Sequence, residues 1–331
     1  QLRQALELYE SMGSDRLVEA VRAQRLLGTA LARSGLAREG LAQVEAAHAR
    51  GFAELSGDHP ELGGLQTDLA WALLEIGDAE RALPHARDAL ARLDAAGPEL
   101  APIALTAAAS LAQAMRSAGD DTATEAAYRE TIARSLSIAG EDSLYTGVAH
   151  SNLGTFLYST GRTAEALAEF ERGVRVQRAA LGPDNPMLAT ALYNLGAILQ
   201  DLGRLDEAEA AAVECLALLE RSLGPDHPET ADAQIALADV LWSLERYGEA
   251  RGWFATHLAW LEGRGEGDTD MAVMLELRVL EMRCFDVDEA DAELAAGELA
   301  LRLSALAEEL PADHALVAFG ERTAARVAAA E

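Results

Sequence analysis

The chain of 331 residues has 55 acidic and 27 basic side chains, a net charge of −28, and 50% hydrophobic but only 5% aromatic residues. A surface this acidic repels phosphate backbones and anionic lipid, which argues against general binding to nucleic acid or membranes. The charge is read either as a solubilising surface or as a surface for a basic partner. Because the apolar residues are largely Ala and Leu, without long alternating β-branched stretches, we predict an all-α protein.

A 42-residue period runs through the sequence. Glycine recurs with this step at Gly35, Gly77, Gly119, Gly161 and Gly203. Leucine keeps the same step at Leu27, Leu69, Leu111, Leu153, Leu195 and Leu237. Such a period predicts one supersecondary unit that is stacked repeatedly, each unit packing on its neighbours.

The stretch from Pro186 to Gly224 shows the unit. Proline opens a first helix, here named helix A, which Gly203 ends as a left-handed cap residue. A second helix, helix B, begins near Asp206, and Gly224 stops it. The unit is therefore predicted to be a helix pair.

Small residues mark the predicted contact between the two helices of each unit. In helix A they are Gly28, Ala70, Ala112, Gly154, Gly196 and Ala238, and in helix B Gly40, Ala82, Thr124, Ala166, Ala208 and Ala250. We expect a larger side chain to push the pair apart at a cost of roughly 1–3 kcal/mol.

These columns resemble the tetratricopeptide repeat, an antiparallel helix pair with Leu-Gly in helix A and Ala in helix B. The 42-residue period and the linkers Leu181–Pro186 and Leu223–Pro228 resemble the kinesin-light-chain variety, which is also common in bacterial proteins. The resemblance implies an α-solenoid, a right-handed superhelix of stacked helix pairs.

The period divides the chain into segments of one array. Residues 1–13 match the end of a helix B, residues 14–265 hold six repeats, residues 266–310 a degenerate seventh, and residues 311–331 a last helix A. Since the array begins and ends within a repeat and neither end looks like a capping unit, we expect a fragment of a larger protein.

No motif predicts catalysis, a metal site or a cofactor. His59, His227 and His314 each follow an aspartate (Asp58, Asp226 and Asp313), but they are equivalent linker positions that stacking holds apart. Cys215 and Cys284 have no CxxC or Cys/His spacing, so we expect buried free thiols and a cytoplasmic protein. No glycine-rich phosphate loop is present. We predict a protein that is not an enzyme.

The resemblance implies that helix A lines a concave groove. The residues carried over to it include Thr67, Glu75, Ser151, Thr155, Gln200, Asp201 and Asp232. We name the ten strongest candidates the predicted binding face: Arg22, Arg25, Arg33, Trp71, Gln113, Arg116, Tyr158, Tyr193, Asp239 and Trp242.

Four large aromatic side chains fall on this face, where we expect them to be exposed without a partner, as recognition anchors are. Its charges separate, with arginine towards the N-terminal end and aspartate towards the C-terminal end. This separation would place the acidic part of a bound peptide near Arg25 and Arg116. Alternatively, the aromatic residues pack on neighbouring helices, or the face forms a dimer or an intramolecular contact.

The predicted function is a non-catalytic scaffold that binds a peptide or protein partner in the groove, with no nucleic acid, membrane or cofactor. The alternative is a regulatory or sensor segment of a larger bacterial signalling enzyme, such as a serine/threonine kinase, a caspase-like CHAT protease or a signalling ATPase. That alternative is an analogy with similar 42-residue arrays.

Overall fold

The computed structural model describes residues 2–12, 16–265, 269–285, 289–311 and 314–330. Within these ranges it contains sixteen α-helices, a short 3-10 turn at Pro98–Leu100 and no β-strand, so the predicted all-α fold is confirmed. Gly13 and Asp313 lie outside the described residues. The chain divides into two compact units, Gln1–Ala180 and Leu181–Glu331.

The first unit holds helices α1 to α9. After α1, the helices alternate as helix A and helix B of successive repeats. Their bounds are Leu2–Ser11, Leu17–Arg33, Ala37–Glu54, Glu61–Glu75, Ala79–Ala96, Ala101–Ser117, Asp121–Ala139, Leu144–Ser159 and Thr163–Leu181.

The second unit holds α10 to α16 and continues the alternation, beginning with a helix A. The bounds are Leu188–Asp201, Leu205–Leu223, Pro228–Ser243, Tyr247–Gly263, Asp270–Cys284, Glu289–Glu309 and Ala315–Ala330. None of the described helices is long and apolar enough to cross a membrane.

Left-handed cap residues end helix A in the six repeats of residues 14–265, five of them at the glycines that the period predicts. The five glycines of the period have φ between 71° at Gly203 and 86° at Gly35. In the sixth repeat Glu245 stands at the same position with φ 62°, which a side chain with a Cβ adopts only at a cost.

The predicted close contact between helix A and helix B is confirmed, because every member of the two small-residue columns is buried. The approach is tightest in the first repeat. A Cβ added at Gly28 would lie 2.7 Å from the carbonyl oxygen of Gly40 and 2.6 Å from Val44 Cγ2. At Gly196 the nearest atoms are 3.7 Å away, so the fifth repeat tolerates a methyl group there.

Arginines at the start of helix B join successive repeats. Arg162 pairs with Glu165 on its own helix and, at 2.6 Å, with Glu125 on the preceding helix B. Arg246 repeats this arrangement with Glu249 and with Glu209. The same side chain therefore stabilises the first turn of a helix and fixes the spacing to the previous unit.

The linker histidines accept hydrogen bonds from the first turn of the helix that follows them. Nδ1 of His59 accepts a hydrogen bond from the backbone N–H of Glu61 at 3.1 Å, and His227 does the same for Glu229 at 3.2 Å. His314 is equivalent, with Leu316 as donor. These bonds satisfy backbone donors at the starts of the helices, which gives the three histidines a structural role.

Candidate functional site

The predicted binding face begins with two arginines on α2 that are already in ion pairs. Arg25 contacts Asp68 at 2.5 Å and Glu61 at 3.3 Å, and only 17% of its side chain is exposed. Arg22 is 52% exposed and contacts the same Glu61 at 2.8 Å. Both guanidinium groups are therefore neutralised by carboxylates of α4, the helix A of the next repeat.

The next pair also lies between two helix A elements. The Arg33 guanidinium lies over the Trp71 ring, 5.5 Å from its centroid. Trp71 is half-buried and packs against the cluster that contains Leu69 and Leu73. The expectation that this tryptophan is exposed without a partner is therefore not met, because its side chain packs against this cluster and Arg33 lies over its ring.

Two face residues of α6 are half-buried: Gln113 and Arg116. No ion pair of Arg116 occurs within the described residues, which distinguishes it from Arg22 and Arg25 of α2. On α8, Tyr158 is 37% exposed. In the first unit, Arg116 is thus a cation of the face that no carboxylate of the described residues neutralises.

In the second unit the face opens into a cleft beside Tyr193, which is 43% exposed. We name it the Tyr193 cleft. One part has a volume of about 100 Å³ and extends towards Gln200 and Asp239, and another has a volume of about 280 Å³ and extends towards Glu229 and Asp232. Residues of α10, α11 and α12 line both parts, so the cleft lies between two successive helix A elements with a helix B behind them. Each part is smaller than a typical small-molecule pocket, which spans about 300–1,000 Å³.

The floor and walls of the cleft are small or apolar, and its rim is acidic. Gly196, Ala197 and Ala236 leave the space between α10 and α12 unfilled. Cys215 lies in the floor, donates to the carbonyl oxygen of Ala189 at 3.3 Å, and has a pKa raised to about 11 by burial. The thiol is therefore protonated at neutral pH and is a poor nucleophile.

The acidic rim acts on Tyr193. The pKa of its hydroxyl is raised, first by burial and then by the charges of Asp232 and Asp239. The pKa of Asp239 is raised by burial, and Arg278 opposes this shift from 3.5 Å. The rim therefore carries a negative potential that an incoming cation would relieve.

At the far end of the face, Trp242 belongs to an aromatic cluster. Its ring centroid lies 4.9 Å from that of Tyr247 and 6.2 Å from that of Phe285. Arg278 and Arg326 lie over the same ring at 5.3 and 5.6 Å. Trp242 is thus half-buried by residues of α13, α14 and α16. The sequence-based expectation that it is exposed without a partner is not met.

Sequence reasoning missed the residues that pair with the predicted face. Asp68 follows Arg25 by 43 residues, and Arg278 follows Asp239 by 39. Both separations are close to one repeat, which is the signal that could have found them. No group of three or more potential metal-ligating side chains occurs within the part of the chain that the structure describes.

Comparison with known proteins supports the same fold. Residues 145–218 and 187–263 match the family model of the tetratricopeptide repeat. A search of curated proteins found no match to this sequence.

Three solved structures illustrate the fold similarity. BtubC from P. vanneervenii is 21% identical over 71% of this chain and 92% of its own, with TM-score 0.57. The STAND signal-transduction ATPase with a tetratricopeptide repeat sensor from Pyrococcus horikoshii is 11% identical over 93% of this chain but only 45% of its own, with TM-score 0.64. The Rap conjugation gene regulator of plasmid pLS20, in complex with a Phr peptide, is 13% identical over 97% of this chain and 78% of its own, with TM-score 0.61.

Proposed function

Since the chain is a tetratricopeptide-repeat protein, we propose that it is a non-catalytic interaction module that holds an extended peptide or protein segment against its helix A elements. Repeats of this kind act as scaffolds for protein–protein interaction. The Rap regulator of the same fold is bound to a peptide.

The Tyr193 cleft is the observation that carries this proposal. In the first unit, the chain itself fills the equivalent spaces with the Arg25–Asp68 ion pair and with Arg33 over Trp71. Between α10 and α12 the space stays open, next to an aromatic ring that is 43% exposed. An exposed aromatic side chain beside a concave, partly polar pocket is a typical recognition anchor.

The chemistry of the cleft favours binding over catalysis. Its one thiol has a pKa raised to about 11, so it is not an activated nucleophile. The linker histidines, which could supply a base, accept backbone hydrogen bonds at the starts of separate helices. A convergent set of nucleophile, base and oriented donor, which an active site requires, is not formed by these side chains.

A display selection tests the proposal. The full chain is used to select 12-residue peptides from a random library, and affinities are then measured by fluorescence anisotropy. Tyr193→Ala removes the anchor and should weaken the selected peptides about tenfold or more, a typical loss for an interface aromatic residue.

The matched control is Val213→Ala, which truncates an exposed side chain on helix B of the same repeat, outside the cleft. This variant should bind the peptides as the parent chain does. Arg116→Glu is the corresponding probe in the first unit, since it reverses a charge without breaking an ion pair. If no peptide is enriched, or if Val213→Ala weakens binding as much as Tyr193→Ala, the proposal fails.

A second candidate function is a sensor segment of a larger signalling enzyme. Its support is the STAND ATPase, which has a tetratricopeptide repeat sensor and whose fold matches 93% of this chain. The gene sequence upstream of Gln1 and downstream of Glu331 tests this candidate. A kinase, protease or ATPase domain in the same reading frame would support it, and a reading frame that ends at these residues would rule it out.

A further inference from the structure

The repeats of this chain offer an internal comparison for the Tyr193 cleft. Thr190 and Tyr193 stand four 42-residue periods after Arg22 and Arg25, and Glu229 stands four periods after Glu61. The α2–α4 and α10–α12 helix pairs are therefore equivalent positions of the array. What occupies one can be compared directly with what occupies the other.

In the earlier pair, the space holds guanidinium groups. Arg22 and Arg25 both contact Glu61, at 2.8 and 3.3 Å. A Cβ added at Gly64 would lie 3.6 Å from Nη1 of Arg25 and 3.8 Å from its Cζ. The Cβ of any side chain at position 64 would therefore contact the guanidinium group of Arg25.

Between α10 and α12, the carboxylate of the earlier pair is retained and a second one is added, but no arginine occupies the equivalent positions. Glu229 is the counterpart of Glu61, and Asp232, the counterpart of Gly64, adds a second carboxylate. Thr190 and Tyr193 replace both arginines, and neither Glu229 nor Asp232 forms an ion pair with any residue of the described ranges. A volume of about 280 Å³ beside these four side chains is open.

The carboxylates are placed to act together. Glu229 and Asp232 are three residues apart on α12, so they lie on one face of the helix, where two like charges repel each other by a few tenths of a kcal/mol. A cation bound between them relieves this repulsion. Tyr193 faces them from α10 across the cleft and offers an aromatic surface on which a planar cation can stack.

We propose that the Tyr193 cleft binds the guanidinium group of an arginine in a partner protein, with Glu229 and Asp232 as its carboxylate partners and Tyr193 as its stacking surface. The proposal rests on the proposed function and names the chemistry of the partner: an arginine-bearing segment. Arginine is preferred to lysine because a planar fork can contact two carboxylates and stack at the same time. The expected partner is thus basic at this position.

The test uses the full chain with capped arginine (Nα-acetyl-arginine methylamide) as the probe. Saturation-transfer NMR measures the binding of the probe. Binding should be saturable with a dissociation constant of roughly millimolar, as for a single side chain at an open site. Capped citrulline, which has the same shape without the charge, should bind at least about tenfold more weakly. Equal binding of the two probes would overturn the proposal.

Variants localise the site. Glu229→Gln/Asp232→Asn should weaken capped arginine about tenfold or more. The matched control Asp206→Asn/Glu220→Gln removes the same two charges from exposed positions of α11 outside the cleft, and should leave binding unchanged. Equal losses in the two variants would show a non-specific effect of net charge and overturn the proposal.

A third variant restores the occupant of the earlier pair. Thr190→Arg/Tyr193→Arg places the counterparts of Arg22 and Arg25 beside Glu229. The new guanidinium groups should occupy the cleft, so the variant should no longer bind capped arginine. Helical circular dichroism and the urea midpoint confirm that each variant is folded.

If capped arginine does not bind while selected peptides still require Tyr193, the arginine site is wrong and the interaction module stands. If capped arginine binds but no peptide does, the proposed function is wrong.

Discussion

Nη1 of Arg25 lies 2.5 Å from Oδ2 of Asp68, joining the helix A elements of the first two repeats. The pair is largely shielded, with 17% and 21% of the two side chains exposed. It fills, between α2 and α4, a space that is open between α10 and α12. The ion pair is present between α2 and α4, where the predicted binding face packs on itself. It is absent between α10 and α12, where the face is available to a ligand.

Arg25→Leu should lower the free energy of unfolding by about 1–3 kcal/mol, because it leaves Asp68 and Glu61 with less compensation in a partly buried place. Arg22→Leu is the matched control, since Arg22 contacts the same Glu61 but is 52% exposed, and should cost less than about 1 kcal/mol. Urea unfolding measures both. Equal losses would mean that burial of the Arg25 pair does not matter.

Glu245→Gly should stabilise the protein by about 1 kcal/mol, because Glu245 holds a φ of 62° that glycine adopts without strain. The opposite exchange, Gly203→Ala, should destabilise by a similar amount, since Gly203 has φ 71° at the equivalent position. Both changes are read from the urea midpoint. A lower midpoint for Glu245→Gly would contradict the assignment of this position as a strained helix cap.

Gly28→Ala should destabilise by about 1–3 kcal/mol because the new methyl group meets the backbone of Gly40 at 2.7 Å. Gly196→Ala should be neutral or stabilising by up to about 1 kcal/mol, since its nearest neighbours are 3.7 Å away and alanine favours the helix. Thermal unfolding of the two variants compares the same column in two repeats. Equal effects would show that the helix pairs are equally close.

Two histidines in the first unit predict a pH dependence of stability. His48 and His85 lie with ring centroids 5.4 Å apart, and burial lowers the pKa of both. After burial, the charge of His85 also lowers the pKa of His48, and that of Arg81 lowers the pKa of His85, while Asp88 opposes both shifts.

Because the folded-state pKa lies below the ordinary value of 6.5, the unfolded chain binds more protons as the pH falls. The stabilising effect of the neutral rings is fully present above pH 6.5, and it is lost as the pH falls from there through the lowered pKa. His48→Phe keeps the stacking on Phe52 at 4.4 Å and removes one titrating group. Urea midpoints between pH 5 and 8 should therefore vary less for the variant, and an unchanged profile would exclude His48 as a source.

The fold could be predicted because a few residue types carry it. Left-handed caps favour glycine and close helix pairs favour small side chains, and the structure confirms both patterns, with Glu245 as the exception among the caps. The site was harder, because pairing between repeats depends on residues about 40 positions apart. Arg25 and Trp71 look free in a single repeat, but Asp68 and Arg33 cover them in the stack. The Tyr193 cleft exists because Ala197 and Ala236 have small side chains that leave space between α10 and α12. No sequence motif identifies such a space.

Site-specific photo-crosslinking tests the central claim most directly. Benzoylphenylalanine is placed at position 193 in the cleft or, as the control, at position 213, where Val213 is an exposed residue of helix B in the same repeat. Each protein is irradiated with a peptide selected by the parent chain, and mass spectrometry measures the yield. Binding along helix A predicts crosslinking from position 193 that excess unlabelled peptide abolishes, and little from position 213. Crosslinking mainly from position 213, or none from either position, would contradict a binding surface on helix A.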